Sequence, residues 1–458
     1  MDQIIRFLKE KGFVFPSSEI YGGYAGVYDF GPLGTELMKN IKDFWWKENI
    51  SKKENYFGID SGIFKDPKVW IASGHVDGFA DPMSECKKCN TRVRVDKELL
   101  KLDIFADDKM EEEELKRLWE ENKAKVKCLK CGSSDFSEAK KFNLLVKSNL
   151  GNFTEQKDND VYLPGEACQG IYLNYKNVVD TMFPKLPFGI GQIGKAFRNE
   201  ISPRNFLFRT REFEQADTQF FVYPKENQKH YEKIKEERMA WYLSLGLSEE
   251  NLKFTQHKHL VFYADDAWDI EYNYPTYGFD EMEGLHDRTD YDLTQHQKFS
   301  KTDLSFNHIN QEGKSEKVIP YIIETSAGLG RIFLAVISEA YQKEVLENGE
   351  EREVLKLKPF LAPVKIAFLP LVKKDGLSEK AHELFVKFQD KYECAFANTG
   401  TVGKRYRKQD QIGTPFCVTV DYDTMKDESV TVRNRDNLEQ ERVKIEDLEE
   451  YFEKKFSN

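Results

Sequence analysis

A chain of 458 residues is long enough for two or three domains with substantial cores, and 40% hydrophobic with 13% aromatic residues excludes a disordered protein. The formal net charge of −11 excludes nonspecific nucleic-acid binding over the whole surface, because neutralising phosphates needs clustered Lys and Arg, although a local basic patch stays open. No apolar run reaches the roughly 18 residues that a bilayer span demands, and Met1-Asp2-Gln3 does not begin a signal peptide, so a cytoplasmic protein with no membrane partner is expected. Seven cysteines, an odd count without a secretion signal, point to reduced thiols.

In chain order, residues 3–10 read as a short helix and residues 21–26 as a Gly-rich aromatic loop. That loop lacks the Lys-Ser/Thr of a P-loop, so turn-forming glycine is preferred over a phosphate cradle. Gly31-Pro32 should open a helix, Pro being favoured at the first helical position, with Leu37, Ile41, Phe44 and Trp45 at helical spacing. Its apolar face is either core or a subunit contact. Residues 54–81 carry strand-like pieces.

From about residue 82 to 146 the composition becomes strongly charged, with one helix showing only Met110, Leu115, Leu118 and Trp119 as an apolar side. Cys86-x-x-Cys89 and Cys128-x-x-Cys131 flank it. A CxxC turn presents two sulfurs to one ion and two such turns complete a tetrahedral zinc shell. The 38 residues between the pairs (90–127) exceed the spacing of a compact zinc ribbon, so a helical excursion is expected there; free structural thiols are the competing reading.

Residues 165–170 lead into an apolar stretch, 171–179. Residues 194–217 read as two short strands joined by a turn near Ser202-Pro203. Alternation puts Arg209, Arg211, Phe213, Gln215, Asp217 and Gln219 on one face, with Phe208, Ala216, Phe220 and Val222 on the other. With Arg198-Asn199-Glu200 opposite, that polar face offers guanidinium forks for phosphates and a ring for a base, as a nucleoside triphosphate requires. Solvated strand charges are the plainer alternative.

A helix is expected over residues 225–245, with Tyr231, Ile234 and Trp241 in the core, and strands over 259–296. A strand over 319–324 then turns through Thr325–Gly330 into a helix whose first turn carries Arg331, a setting that suits a phosphate as well as a glycine-eased helix start. After an acidic linker around 344–353, a strand-helix-strand, basic segment, strand-strand-helix order predicts a small α/β domain. The basic segment Lys404-Arg405-Tyr406-Arg407-Lys408 could meet RNA phosphates and stack a base, or be a solvated charge run.

Taken together, YDFGPLG (28–34), SGHVDGFADP (73–82), GKAFRNEISPRNF (194–206), REFEQ (211–215), DRTDYDL (287–293), SAGLGR (326–331) and GKRYRKQDQIGTPF (403–416) resemble the homodimeric, class II glycyl-tRNA synthetases over essentially the whole chain. The resemblance implies an α+β fold with an antiparallel catalytic sheet of six or seven strands over 1–81 and 147–358 and an α/β anticodon-binding domain over 359–458; the charged stretch with its two Cys pairs then reads as an inserted, zinc-binding module over 82–146. It implies glycine activation by ATP with magnesium, glycyl transfer to tRNA(Gly), and a homodimer with the helix of residues 31–49 as contact.

By the same resemblance Arg198 and Arg331 are catalytic. Arg198 holds the α-phosphate and the glycine carboxylate, Glu200 and Phe213 meet the adenine, and Arg209 and Arg331 clamp the γ-phosphate. Glu324 holds magnesium, with Glu283 as a second ATP-site acid. Glu166, Asp217 and Ser326 surround the glycine, and Lys404, Arg405, Tyr406 and Arg407 meet the anticodon. The chain departs from the family pattern where RPETAQG reads PGEACQG (164–170), and at Asp217 for Glu, Gln219 for Glu and Thr325 for Pro. A catalytically weakened, nucleic-acid-binding or accessory relative is the alternative, but loss of the phosphate arginines would be its mark and all three are present. A sister synthetase for serine, threonine or proline would not account for GKAFRNEISPRNF.

Overall fold

The structure is a computed structural model that describes residues 1–106, 110–150, 160–200, 205–257, 265–309, 315–346 and 349–456. The expected turn at Ser202-Pro203 lies outside the described residues.

The strands β1 (Tyr56–Gly58), β2 (Phe188–Phe197), β3 (Glu212–Val222), β4 (Leu252–Gln256), β5 (Asp266–Tyr274), β6 (Gly278–Thr289) and β7 (Tyr321–Gly328) form one sheet in the order β4-β5-β6-β7-β3-β2-β1. Every neighbouring pair is antiparallel except the edge pair β1–β2. The pair β2–β3 is longer than the two short strands expected, ten and eleven residues, and Arg209 and Arg211 precede β3 instead of lying on it.

One face of this sheet is sealed by α1 (Pro32–Trp46), α3 (Asn227–Ser244) and α4 (Leu329–Ala340), whose apolar residues share a core with Ala216, Val222, Ile270, Leu285, Ile323 and Ala327. Leu37, Ile41 and Trp45, spaced one turn apart, are fully buried there, so the apolar stripe of α1 is spent inside this chain and not on a subunit contact. The opposite face is covered only at one end, where α2 (Gln169–Met182) packs on Phe188, Ile190, Phe221 and Ile322. The rest of that face carries the polar side chains.

Three segments differ from expectation. Residues 291–300 are a helix (Tyr291–Ser300) and not a strand continuation, and Asp292 in its first turn pairs with Arg288 near the end of β6 at 2.7 Å. The acidic linker is a hairpin, Tyr341–Val345 with Glu351–Leu355. It docks through Arg352, which is 1% exposed and donates to Asp410 Oδ2 at 2.9 Å. The last region has a five-stranded sheet, one strand more than expected (Gln440–Lys444), with helices Leu377–Phe388 and Leu448–Phe456 packed on it.

The basic segment is helical, within Val402–Ile412, started by Thr401 and stopped by Gly413 in the left-handed region. Its side chains do not form the basic surface expected of them. Arg405 is 3% exposed, and its guanidinium donates to the carbonyls of Pro370 (2.6 Å), Ala397 (3.0 Å) and Leu371 (3.3 Å). Tyr406 is half-buried, with its hydroxyl on Thr419 and its ring under Arg433. Assigning Arg405 and Tyr406 to the anticodon is therefore corrected: a guanidinium that ties carbonyls is a fold element, and a ring packed against Ala367, Leu369 and Cys417 with Arg433 over it is part of the domain's own core. Arg405→Ala should lower the stability of the C-terminal domain by about 3 kcal/mol, since it strands buried carbonyls. Urea melts of the full chain should show an early transition, whereas Lys404→Ala should leave the melt unchanged.

Candidate active site

The open part of the sheet floors a cleft of about 250 Å³ lined by Arg198, Arg209 and Arg331, together with Glu200, Phe213, Glu281 and Ser326. Arg198 leaves the end of β2 with its backbone N–H on Arg211 O, and its guanidinium is sandwiched between the rings of Phe79 and Phe213, 5.2 Å from each centroid. Its Nε–H donates to Gly165 O at 3.1 Å. Among the described residues the two terminal nitrogens make no hydrogen bond, so an aromatic clamp holds the fork with its prongs free. Arg331, in the first turn of α4, lies over Phe208 and meets Glu281 at 3.1 Å, and Arg209 lies 4.0 Å from Glu200. Arg211 turns elsewhere, donating to Glu200 O and lying over Tyr24 of the Gly-rich loop.

Beyond the cleft floor lies a nest of acids. Asp217 on β3 is the register partner of Ser326, and Gln219 that of Glu324 on β7. Asp217 and Gln219 are fully buried and Glu324 is 4% exposed. Arg288 NH1 pairs with Glu324 Oε2 at 2.8 Å and is itself anchored bidentately on Asp292. Tyr172 donates its hydroxyl to Gln219 Oε1 at 2.8 Å. Glu166 accepts from Gln169 Nε2 at 2.9 Å and lies 3.4 Å from His75 Nε2. Both carboxylate oxygens of Asp217 and the Nε2 of Gln219 are buried with no hydrogen-bond partner among the described residues.

Three carboxylates, Glu166, Asp217 and Glu324, thus share one guanidinium. Burial pushes the Asp217 carboxyl well above its ordinary range, the charges of Glu324 and Glu166 add to the effect, and the Ser326 hydroxyl and Arg288 offset only part of it. Burial acts the same way on Glu166, but His75, Arg288 and the Gln169 amide outweigh it and hold that carboxyl well below the usual value. The arrangement calls for a small cation.

Two acids differ from the sequence reading. Glu283 faces away from the cleft: it is fully buried under the helices and takes a bidentate pair from Arg238 at 2.7 and 2.9 Å. A bulge causes this. Ile270 pairs with Glu283 but Glu271 with Glu281, so residue 282 is extra and the parity of β6 flips there, sending Glu281 to the cleft and Glu283 to the core. Glu324 is on the correct face but lies in the acid nest, committed to Arg288 and near Tyr172, and does not line the cleft where a triphosphate's magnesium would sit. Sequence reasoning gave no role to Arg288, although its four-residue spacing from Asp292 was visible.

In the residue 82–146 region, the four thiols of Cys86, Cys89, Cys128 and Cys131 lie within 4.8 Å of one another, with Cys86–Cys131 Sγ at 3.6 Å and Cys89–Cys128 at 3.5 Å. Asn90 and Gly132, both at positive φ, donate back to Cys86 O and Cys128 O, and those turns aim each pair inward.

Residues 152–341 match the family described as tRNA synthetase class II core domain (G, H, P, S and T), and residues 365–455 match the anticodon binding domain. A glycine–tRNA ligase of Clostridium acetobutylicum is 45% identical over 99% of this chain and 98% of its own length. Those of Ruminiclostridium cellulolyticum and Borreliella burgdorferi are each 46% identical over 100% of this chain and 98% of theirs. A prolyl-tRNA synthetase structure from Cryptosporidium parvum superposes with a TM-score of 0.63 over 99% of this chain and 76% of that one, at 14% identity, a likeness of fold alone.

The unpaired Asp217 carboxylate has a consequence for stability. Because its folded pKa is raised, the group's contribution is intact below the ordinary value of 3.8 and is lost as pH climbs through the elevated folded value. Asp217→Asn should therefore melt at a higher temperature than the parent at pH 8, with the difference shrinking toward pH 4; thermal melts across that range check the sign.

Proposed function

This chain belongs to the glycine–tRNA ligase family of class II synthetases, and on that premise we propose that it condenses glycine with ATP to glycyl-adenylate and pyrophosphate, then passes the glycyl group to the terminal adenosine of tRNA(Gly). The observation that carries the reading is the buried Asp217 carboxylate with no hydrogen-bond partner among the described residues, one strand away from a cleft with three arginines. An α-ammonium supplies the missing cation. Because Asp217 is fully buried and Glu324 nearly so, a side chain on the α-carbon would have to displace packed groups.

In this scheme the ammonium meets Asp217, with Glu166 and Ser326 beside it, and the glycine carboxylate points back to Arg198. One carboxylate oxygen attacks the α-phosphorus, the bond to the bridging oxygen breaks, and pyrophosphate leaves with the electron pair. A carboxylate is already the nucleophile at neutral pH, so no protein base is needed; positioning and charge neutralisation carry the rate. The free prongs of Arg198 span the carboxylate and the α-phosphate, and Arg209 and Arg331 take the γ-phosphate. Phe213, covered by Arg198 on one side of its ring, has the other side for adenine, near Glu200. Glu281 is the acid placed to hold magnesium, which shields the triphosphate's charge when bound; the Arg331 guanidinium, outweighing burial, keeps this carboxyl below its ordinary value.

Zinc suits the four thiolates of the inserted module (82–146), flanked by the catalytic parts 1–81 and 147–358. The residue 359–458 region would meet the anticodon through exposed Lys404 and Lys408 with Arg407, not through Arg405 or Tyr406. The enzyme is read as a cytoplasmic homodimer by family likeness, with its contact on a surface other than the apolar stripe of α1.

Amino-acid-dependent ATP–pyrophosphate exchange across a panel tests the assignment. Glycine should support the fastest exchange, and Arg198→Ala should cut kcat/KM by about a thousandfold, or ~4 kcal/mol. Faster exchange with alanine or serine than with glycine would sink it.

A further inference from the structure

Three side chains outside the proposed ATP and glycine contacts meet on the open face of the sheet: His257 just past β4, Asp269 on β5 and His286 on β6. Each comes from a different, adjacent strand, so the sheet itself fixes their spacing. The backbone N–H of His257 donates to Ala267 O at 2.9 Å, Ala267 pairs with His286, and Asp269 pairs with Gly284. His257 Nε2 stands 2.9 Å from Asp269 Oδ2, and the two imidazoles lie with centroids 6.0 Å apart and planes at 81°. One ligand atom from each of the three falls within 4.8 Å of the others.

An ion pair between His257 and Asp269 accounts for those two residues, while His286 has the Glu324 carboxylate on its Nδ1 side and its Nε2 for another partner. Its Nδ1 is buried and makes no hydrogen bond among the described residues, the Glu324 Oε1 standing 3.5 Å away. The ring leans over Gly284, where a Cβ would come within 2.8 Å of Cε1, so a glycine at that position is what lets the imidazole lie toward Asp269. Two imidazoles and one carboxylate at the corners of a small triangle form a donor set for a borderline divalent transition ion; magnesium and calcium prefer all-oxygen shells. Around zinc, ligand atoms at roughly 2.0–2.1 Å from the ion sit about 3.3 Å apart, within the span that these atoms already cover. All three side chains are partly exposed, which leaves an entry path and a coordination position for water.

We propose that His257, Asp269 and His286 bind a divalent transition-metal ion of the zinc class, separate from the cysteine cluster, with Glu324 as the outer acceptor that orients His286. A metal-bound imidazole ordinarily has its second nitrogen on a carboxylate, and Glu324 is the acid within reach. The ion would sit at the outer wall of the acid nest and fix the side of Glu324 that Arg288 does not hold. The inference does not depend on which amino acid the enzyme activates.

Zinc titration of the full-length chain, stripped with chelator and read by chelator competition and by bound metal after gel filtration, tests it. Wild type should bind one equivalent more than His257→Gln or His286→Ala, and Cys86→Ser/Cys89→Ser should retain that equivalent. Cobalt gives a second measurement on the unmutated chain: the extra equivalent should add weak visible bands without adding thiolate charge-transfer absorption. Equal zinc stoichiometry in wild type and both histidine variants would overturn the proposal, as would cobalt binding accompanied only by thiolate bands.

Discussion

A carboxylate shut away from water beside two others, with one guanidinium to serve all three, is the constraint on which this structure turns. Removing an ionised carboxyl from water costs several kcal/mol unless a cation or several donors replace the solvent, and Asp217, whose oxygens have no hydrogen-bond partner among the described residues, has for relief a share of the Arg288 charge and the neighbouring Ser326 hydroxyl. Its neighbours are arranged to hold the position instead of relieving it in full. Arg288 is drawn to Glu324 and braced by Asp292, and Tyr172 is committed to Gln219. The fold keeps an electrostatic deficit that an ammonium group can fill, and that deficit is the source of binding energy for a ligand with few atoms of its own.

The sheet can carry this burden because its two faces are treated differently. Helices α1, α3 and α4 seal one face with a continuous apolar core, which supplies the cohesion. The other face is roofed only at the α2 end, so side chains on β3, β6 and β7 project into a partly open space. The bulge in β6 decides which acid belongs to which side. Had the strand kept its alternation, Glu281 and Glu283 would face the same way; the one inserted residue gives Arg331 its partner at the cleft and Arg238 its partner in the core.

The C-terminal region shows how charge misleads when read as exposure. Arg405 sits in a run of four cations, yet a guanidinium with five donors is well suited to collect carbonyls at the ends of strands, and it does so at Pro370, Leu371 and Ala397. Asp410, six residues on from Lys404 and fully buried, collects Arg352 from the hairpin and Arg433 from the neighbouring strand. Of the four cations in this helix Arg405 thus serves domain cohesion, and the helix's buried acid, Asp410, gathers two more from outside it.

By itself the sequence determined the alternation that puts Phe213, Gln215, Asp217 and Gln219 on one face, the helices at Pro32 and after Gly328, the four cysteines of one cluster, and the order of motifs that carries the family likeness. Those are local or periodic properties, set by backbone repeat and side-chain type within a few residues. Only the tertiary structure decided that Glu283 is core, that Glu324 belongs to Arg288, that Arg405 and Tyr406 are spent internally, and that His257, Asp269 and His286 converge. Each of these depends on a strand register, on one extra residue in a ladder, or on a partner tens to hundreds of residues away. Such facts have no local signature, because identical side chains are stabilised by water at a surface and by a distant counterpart in a core.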